Sequence, residues 1–287
     1  MNKLKTLIKI SRPRFWLYAG GTFWVGAIAG ASELSQLASP LILLLLIYFM
    51  IPANIFIYGI NDMFDGDTDE FNSKKDDKEH RLQSTERSWL KSLVYGSMVL
   101  GIVLAILTPN IKATILFLVF LFLAWAYSSL PFRFKAKPFI DAISNVHYAV
   151  IGFVAYALLS GEFPPLWAII AAWSWTASMH IFSAVPDIAS DKQANLTTTA
   201  VLLKERWSLI LCTVLWLLTA ILFTQNFPGT ILTYLAYLYP LSSLLLLLKP
   251  SAIHRVYWWF PYINGVVGLL LFWYIFLSKF NFQDIIQ

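Results

Sequence analysis

Charged residues and cysteine are both scarce in this chain. Only 13% of its 287 residues are charged, whereas 58% are hydrophobic. One water-soluble core cannot cover that much apolar surface, so a soluble enzyme is not expected. Cys212 is the only cysteine, which excludes an internal disulfide and a cysteine-rich metal cluster.

Long apolar runs account for the hydrophobic excess. A helix needs about 20 residues to cross the hydrocarbon of a bilayer, and runs of that length recur along the whole sequence. They predict transmembrane helices near 15–31, 41–60, 89–107, 112–129, 139–160, 164–182, 206–224, 229–248 and 258–278. The sequence therefore predicts an all-α integral membrane protein with about nine transmembrane helices.

The basic residues lie mainly on one side of these predicted helices. On that side are 19 of the 21 lysines and arginines, and only Lys112 and Lys279 lie opposite. Because positive charge concentrates in cytoplasmic loops, we expect the N-terminus and the loops on that side to be cytoplasmic and the C-terminus to be outside. The charge is also too dispersed to indicate a nucleic-acid-binding patch.

Acidic residues concentrate in two loops on the same side, near 62–88 and 187–205. In the first loop, continued helical geometry would place Asp62, Asp65 and Asp69 on one face beside Asn61, with Asn54 two turns deeper. Such close like charges favour a bound divalent cation. Oxygen ligands without histidine or cysteine select Mg²⁺, with Mn²⁺ as an alternative. A solvated acidic helix cap is the other interpretation of this cluster.

A second acidic pair, Asp187 and Asp191, follows another apolar helix on the same side. Their spacing makes them neighbours on one helical face. By itself the pair also fits an ordinary helix cap. Together, the two clusters indicate two metal sites that flank one polyanion.

Basic and polar residues between the clusters suit a diphosphate, whose oxygens need hydrogen-bond donors. The candidates in this segment are Tyr127, Arg133, Lys135 and Lys137, and Lys78, Arg81 and Arg14 are further ones. The same residues also satisfy the positive charge bias of cytoplasmic loops. His180, Ser183 and Asp141 are candidates for the lining of an acceptor cavity, since His180 lies two turns before Asp187.

These motifs resemble those of the UbiA superfamily of intramembrane prenyltransferases. Its NDxxDxxxD motif is matched by Asn61, Asp62, Asp65 and Asp69, and its DxxxD motif by Asp187 and Asp191. Asn54 also fits, whereas the lysines after Tyr127 come later than in the quinone-pathway members. The resemblance implies one transmembrane prenyltransferase domain over 1–287, formed by a helical bundle around a central cavity. It also implies two Mg²⁺ ions that bind a prenyl diphosphate, with Asp62, Asp65, Asp187 and Asp191 as the catalytic acids.

Within the superfamily, the stretches 127–141 and 179–200 look most like the lycopene elongases. That branch implies dimethylallyl diphosphate as donor, lycopene or a related carotenoid as acceptor, and membrane lipid as surroundings. An aromatic-acceptor prenyltransferase of quinone biosynthesis is the alternative with the same chemistry. A cation-coupled transporter is the alternative of another class, although its acids are expected near the bilayer midplane and not at helix ends.

Overall fold

A computed structural model of the chain describes residues 3–64 and 87–280, and every regular element within them is a helix. Arg14 is described without its side chain. The helices are α1 (Lys3–Ile10), α2 (Trp16–Gly30), α3 (Leu34–Leu37), α4 (Pro40–Met50), α5 (Pro52–Phe64), α6 (Arg87–Leu107), α7 (Ile111–Ser128), α8 (Ile140–Ser144), α9 (His147–Ser160), α10 (Leu166–Ala184), α11 (Ile188–Gln193), α12 (Thr199–Asn226), α13 (Ile231–Ala236), α14 (Leu238–Leu248) and α15 (Ile253–Lys279). Short 3₁₀ turns cover Pro13–Phe15, Phe134–Ala136, Val185–Asp187 and Pro250–Ala252.

The prediction of an all-α membrane protein is confirmed. Within the described ranges, eight helical stretches are at least 18 residues long and apolar enough to cross a bilayer. The first predicted span corresponds to α2, which has only 15 residues. Three other predicted spans are interrupted: α4 and α5 meet at a break before Pro52, and similar breaks separate α8 from α9 and α13 from α14. At the first break, Pro52 supplies no N–H to continue the helix.

The chain divides into two compact units. Unit 1 comprises 1–132, 150–163 and 271–287, and unit 2 comprises 133–149 and 164–270. In unit 1, the rings of Phe49 and Phe117 lie 5.0 Å apart at the centre of an aromatic core. Gly26 lies against the main chain of Gly152, where an added Cβ would overlap the carbonyl. Such small residues let transmembrane helices approach closely.

The two ends of unit 1 differ in their chemistry. At one end, the Lys279 ammonium donates to the carbonyls of Ala29 and Ala31, both at 2.7 Å, where α2 ends. The last carbonyls of a helix lack partners within the helix, so this lysine supplies the missing donors. The opposite end contains the N-terminus of α2 and the C-terminus of α5, which carries the first acidic motif.

Unit 2 has an aromatic core behind the second acidic motif. Phe182 of α10 stacks on Phe260 of α15 at 4.5 Å between ring centroids, and Trp216 of α12 packs on Phe182 at 5.4 Å. These large buried rings fix α10 against its neighbours. The C-terminal end of α10, which leads to Asp187, is therefore held in a defined position.

Candidate active site

Asn54 begins the site on the deep side of α5. Its side chain is fully buried, and its Nδ2 donates to the carbonyls of Phe49 at 3.2 Å and Met50 at 2.8 Å. These carbonyls border the break before Pro52. Among the described residues, Asn54 Oδ1 has no hydrogen-bond partner. Asn54 therefore presents a buried acceptor oxygen, which suits a cation or a water molecule.

Asp62 lies near the end of α5 and is only 4% exposed. It accepts a hydrogen bond from Arg12 Nη2 at 3.2 Å. The Arg12 guanidinium lies 4.4 Å from the ring centroid of Tyr58, one turn before Asp62. Arg12 itself has a left-handed backbone with φ of 46°. This contact places a cation on the first acid of the motif, and the aromatic ring supports it.

The remaining residues of the first motif are only partly described. Asn61 Oδ1 accepts a hydrogen bond from Ser128 Oγ at 3.0 Å, which brings α5 against the end of α7. Tyr127 is the neighbour of this serine on α7. Asp65, Asp69, Lys78 and Arg81 lie outside the described residues, as does the side chain of Arg14.

The second motif lies where α10 passes through a 3₁₀ turn into α11. Asp187 ends the 3₁₀ turn, and Asp191 lies within α11. Thr198 Oγ1 donates to Asp191 Oδ2 at 3.4 Å and accepts from the N–H of Val201 at 3.3 Å. Because Thr198 caps α12, this bond ties the position of Asp191 to the start of α12.

A buried hydrogen-bonded cluster centres on Asp141, which is 0% exposed. Its carboxylate accepts from the N–H of Ala142 at 2.8 Å and from the N–H of Thr199 at 2.7 Å, and also from the Thr199 hydroxyl. Thr199 Oγ1 in turn accepts from the N–H of Phe139 at 2.6 Å. His180 Nε2 lies 3.6 Å from Asp141 Oδ2. These donors offset the cost of burying the carboxylate.

Three of the predicted diphosphate ligands lie in the turn between α7 and α8. Arg133 has a left-handed φ of 40°, Lys135 is only 6% exposed, and Lys137 Nζ lies 5.8 Å from the ring centroid of Phe134. A buried ammonium is costly unless it is paired with an anion. The turn therefore carries positive charge into the interior of unit 2.

Sequence reasoning missed two residues of the site. In the sequence, Arg12 is one of the basic residues of the N-terminal segment, and Thr199 lies in the stretch 179–200 that resembles the elongases. Each contacts an acid more than 45 positions away, Asp62 and Asp141 respectively. The sequence carries no local signal for contacts at that separation. The predicted cavity candidate Ser183 is hydrogen-bonded to the carbonyl of His180 at 2.8 Å.

Within the ranges 3–64 and 87–280, no three histidine, cysteine or acidic side chains form a ready metal-binding group. Asp65 and Asp69 of the first motif lie between these ranges, outside the described residues. The metal-ligand assignments of the first and second motifs therefore stay predictions.

Comparisons with known proteins agree with the fold and the motifs. The model of the UbiA prenyltransferase family matches residues 19–284. The lycopene elongase/hydratase of Haloferax volcanii is 42% identical over 270 residues, which cover 94% of this chain and 88% of that protein. A UbiA homologue from Archaeoglobus fulgidus, solved with GPP and Mg²⁺ and with DMAPP and Mg²⁺, is 22% identical with a TM-score of 0.68 in both structures. The match covers 96% of this chain and 99% of that one, and at this identity it shows the fold.

Proposed function

Because this chain belongs to the UbiA prenyltransferase family, we propose that it adds five-carbon units from dimethylallyl diphosphate to lycopene or a closely related carotenoid. The observation that carries this proposal is the 42% identity, over 94% of the chain, to a lycopene elongase/hydratase. The chain is an integral membrane prenyltransferase, so the cation-coupled transporter is not retained. Of the two acceptor classes, the identity favours the carotenoid over the aromatic quinone precursor.

We further propose Mg²⁺, with Mn²⁺ as a substitute, as the cofactor. The residues fit such a cation, since Asn61, Asp62, Asp187 and Asp191 supply only oxygen donors and Asn54 Oδ1 is buried without a partner among the described residues. Asp65 and Asp69 would complete the first motif. A cation held by these residues would supply positive charge to neutralise the diphosphate and to polarise the allylic carbon–oxygen bond.

The basic residues of the chain take the remaining roles at the diphosphate. Arg12 holds the Asp62 carboxylate from one side at 3.2 Å, which fixes the orientation of a ligand that would otherwise rotate. Arg133 and Lys135 provide positive charge from the turn before α8. We propose that this turn stabilises the charge that develops on the leaving diphosphate. Arg81 and Lys78 would add donors from the first acidic loop.

We also propose the orientation of the protein in the bilayer. The N-terminus and both acidic loops would be cytoplasmic, since 19 of the 21 basic residues lie on their side. Dimethylallyl diphosphate is a water-soluble anion, so this orientation would let it enter the site from the cytoplasm.

The test uses the full chain, purified and reconstituted in lipid nanodiscs, with dimethylallyl diphosphate, Mg²⁺ and lycopene. Mass analysis should show carotenoids heavier by one five-carbon unit per modified end. Chelation of the metal should abolish turnover, and added Mg²⁺ should restore it. Product formed only with a hydroxybenzoate or naphthoate acceptor would refute the carotenoid assignment.

Variants of the two motifs link this activity to the site. Asp62→Ala and Asp187→Ala should each abolish turnover while the thermal unfolding of the protein stays close to that of the wild type. Full activity in either variant would refute the assignment of the corresponding motif.

A further inference from the structure

The diphosphate chemistry does not involve an acid–histidine pair that lies in unit 2. Asp141 is 0% exposed, and His180 Nε2 lies 3.6 Å from its Oδ2. The pair comes from two different elements, since Asp141 lies in α8 and His180 in α10. Neither residue belongs to the acidic motifs.

The surroundings of Asp141 hold its carboxylate in one orientation. Two main-chain N–H groups, from Ala142 and Thr199, donate to it at 2.8 and 2.7 Å, and the Thr199 hydroxyl donates as well. A fixed carboxylate beside an imidazole orients the ring and stabilises the imidazolium that forms when the ring takes up a proton.

The imidazole lies closer to accessible space than the carboxylate does. The His180 side chain is 14% exposed, whereas that of Asp141 is 0% exposed. The ring therefore lies between the buried acid and the accessible side of α10. In a proton-accepting pair, the base must be accessible to the substrate, whereas the acid that orients it can be fully buried.

His180 lies deeper along α10 than the second acidic motif does. It precedes Asp187 by seven residues, which corresponds to two helical turns and a rise of about 10 Å. Two turns also return to nearly the same helix face. A donor whose diphosphate is held at Asp187 would extend its prenyl chain along this face toward His180.

We propose that His180 is the base that takes the proton released when the carbon–carbon bond has formed, and that Asp141 is its positioning residue. This assignment rests on the proposed function. The sequence alone did not identify this base. The proposal adds a catalytic residue to the transfer reaction and assigns the otherwise unused pair.

The allylic carbon–oxygen bond breaks, and the diphosphate leaves with the electron pair. The terminal double bond of the acceptor then forms the new carbon–carbon bond, which leaves a tertiary cation. An adjacent C–H gives its proton to His180, and its electron pair becomes the new double bond. If water adds to the cation instead, the proton that this water loses goes to the same imidazole.

The experiment compares His180→Gln and His180→Ala with the wild type in nanodiscs. Donor binding is measured by calorimetry with dimethylallyl diphosphate and Mg²⁺ in the absence of acceptor. We expect kcat to fall about 100-fold or more, as for other general bases, while KM and binding of the donor stay within about twofold. His254→Gln, at an exposed histidine, should match the wild type.

Chemical rescue separates a base from a packing residue. Free imidazoles added to His180→Ala should restore turnover, and the restored rate should rise with the basicity of the added imidazole. Rescue that is independent of basicity would overturn the proposal, because it indicates that the imidazole only fills space. A kcat within threefold of the wild type in His180→Gln would also overturn it.

Two further outcomes would each refute one assignment, either that of His180 or that of the acceptor. Loss of donor binding in both variants would place His180 in the donor site or the folded core, and it would overturn the proposal. Wild-type protein that elongates no carotenoid would refute the acceptor assignment instead. The same variants would then be assayed with the aromatic acceptor, whose substitution also releases a proton.

Discussion

The contact between Arg12 and Asp62 joins the first motif to the N-terminal segment. Asp62 is almost completely buried, and Arg12 reaches it from 50 positions earlier in the chain. The guanidinium also lies over the Tyr58 ring at 4.4 Å. A planar guanidinium stacks on a ring and donates to a carboxylate in one fixed geometry, whereas an ammonium is a point charge without a flat face. We therefore infer that arginine is required at this position.

Replacement of Arg12 tests this inference. We expect Arg12→Ala to lower kcat/KM for dimethylallyl diphosphate about 10- to 100-fold, the range found when the group that orients a metal ligand is removed. Arg12→Lys should recover only part of this loss. Lys9→Ala is the control, because Lys9 is exposed nearby on α1. Equal rates for Arg12→Ala and the wild type would show that Asp62 needs no partner.

The spacing of the acids predicts which residues form the motifs, but not their partners. Asp62, Asp187 and Asp191 follow from local periodicity, since residues three or four apart share a helix face. Arg12 and Thr199 act across 50 and 58 positions, and pairing at that distance depends on how helices pack. The sequence-based candidate is Arg14, two positions after Arg12, and its side chain lies outside the described part of the chain.

At the scale of elements, Thr199 joins the turn that carries the basic residues to the start of α12. Its hydroxyl donates to Asp141 and accepts from the N–H of Phe139. Phe139 has a left-handed φ of 67°, which is strained for a residue with a side chain. The neighbouring Thr198 donates to Asp191 at 3.4 Å. One dipeptide therefore positions both the basic turn and the second motif.

Loss of the Thr199 hydroxyl should loosen this arrangement. Thr199→Val removes one bond to a charged acceptor and one bond from a part-buried N–H, which we expect to destabilise the protein by about 2–3 kcal/mol. The KM for dimethylallyl diphosphate should rise more than kcat falls, because the basic turn is misplaced. Thr199→Ser keeps the hydroxyl and should stay near the wild type in thermal unfolding and kinetics. If Thr199→Val behaves like Thr199→Ser, the Thr199 hydroxyl is not what links the basic turn to α12.

The close packing of α2 against α9 provides a second prediction at the scale of elements. A Cβ on Gly26 would overlap the main chain of Gly152, whereas a Cβ on Gly21 of the same helix meets nothing within 4 Å. Gly26→Ala should therefore destabilise by about 1–3 kcal/mol or more through overpacking. Gly21→Ala should be neutral, or stabilising by up to about 1 kcal/mol. Thermal unfolding in detergent compares the two, and equal midpoints would contradict the close approach.

Apolar runs predict where helices lie but not where they break. The run 41–60 reads as one span, yet the structure divides it before Pro52. Asn54 supplies donors to the carbonyls of Phe49 and Met50 at this break. The broken span and the buried Asn54 are therefore one feature, and sequence reasoning placed only Asn54 in the site. The break depends on this side-chain contact, which hydropathy does not report.

At the scale of the whole molecule, the distribution of basic residues indicates the orientation of the protein in the membrane. The two basic residues outside the majority side are both engaged in unit 1. Lys112 pairs with Glu162, and Lys279 donates to carbonyls at the end of α2. Glu162 compensates the charge of Lys112, and carbonyl oxygens solvate the ammonium of Lys279, so the other 19 basic residues determine the charge bias.

The topology is testable with two matched cysteine variants. Cys212 is the only native cysteine and is buried, so it should give no background with a membrane-impermeant thiol reagent. Gln193 follows the second motif and Gln225 lies at the other end of α12, and both are exposed. In intact cells, Gln225→Cys should be labelled and Gln193→Cys should not, whereas both should be labelled after the cells are opened. Labelling of Gln193→Cys alone in intact cells would invert the topology and place both acidic motifs outside, away from the cytoplasmic supply of diphosphate donor.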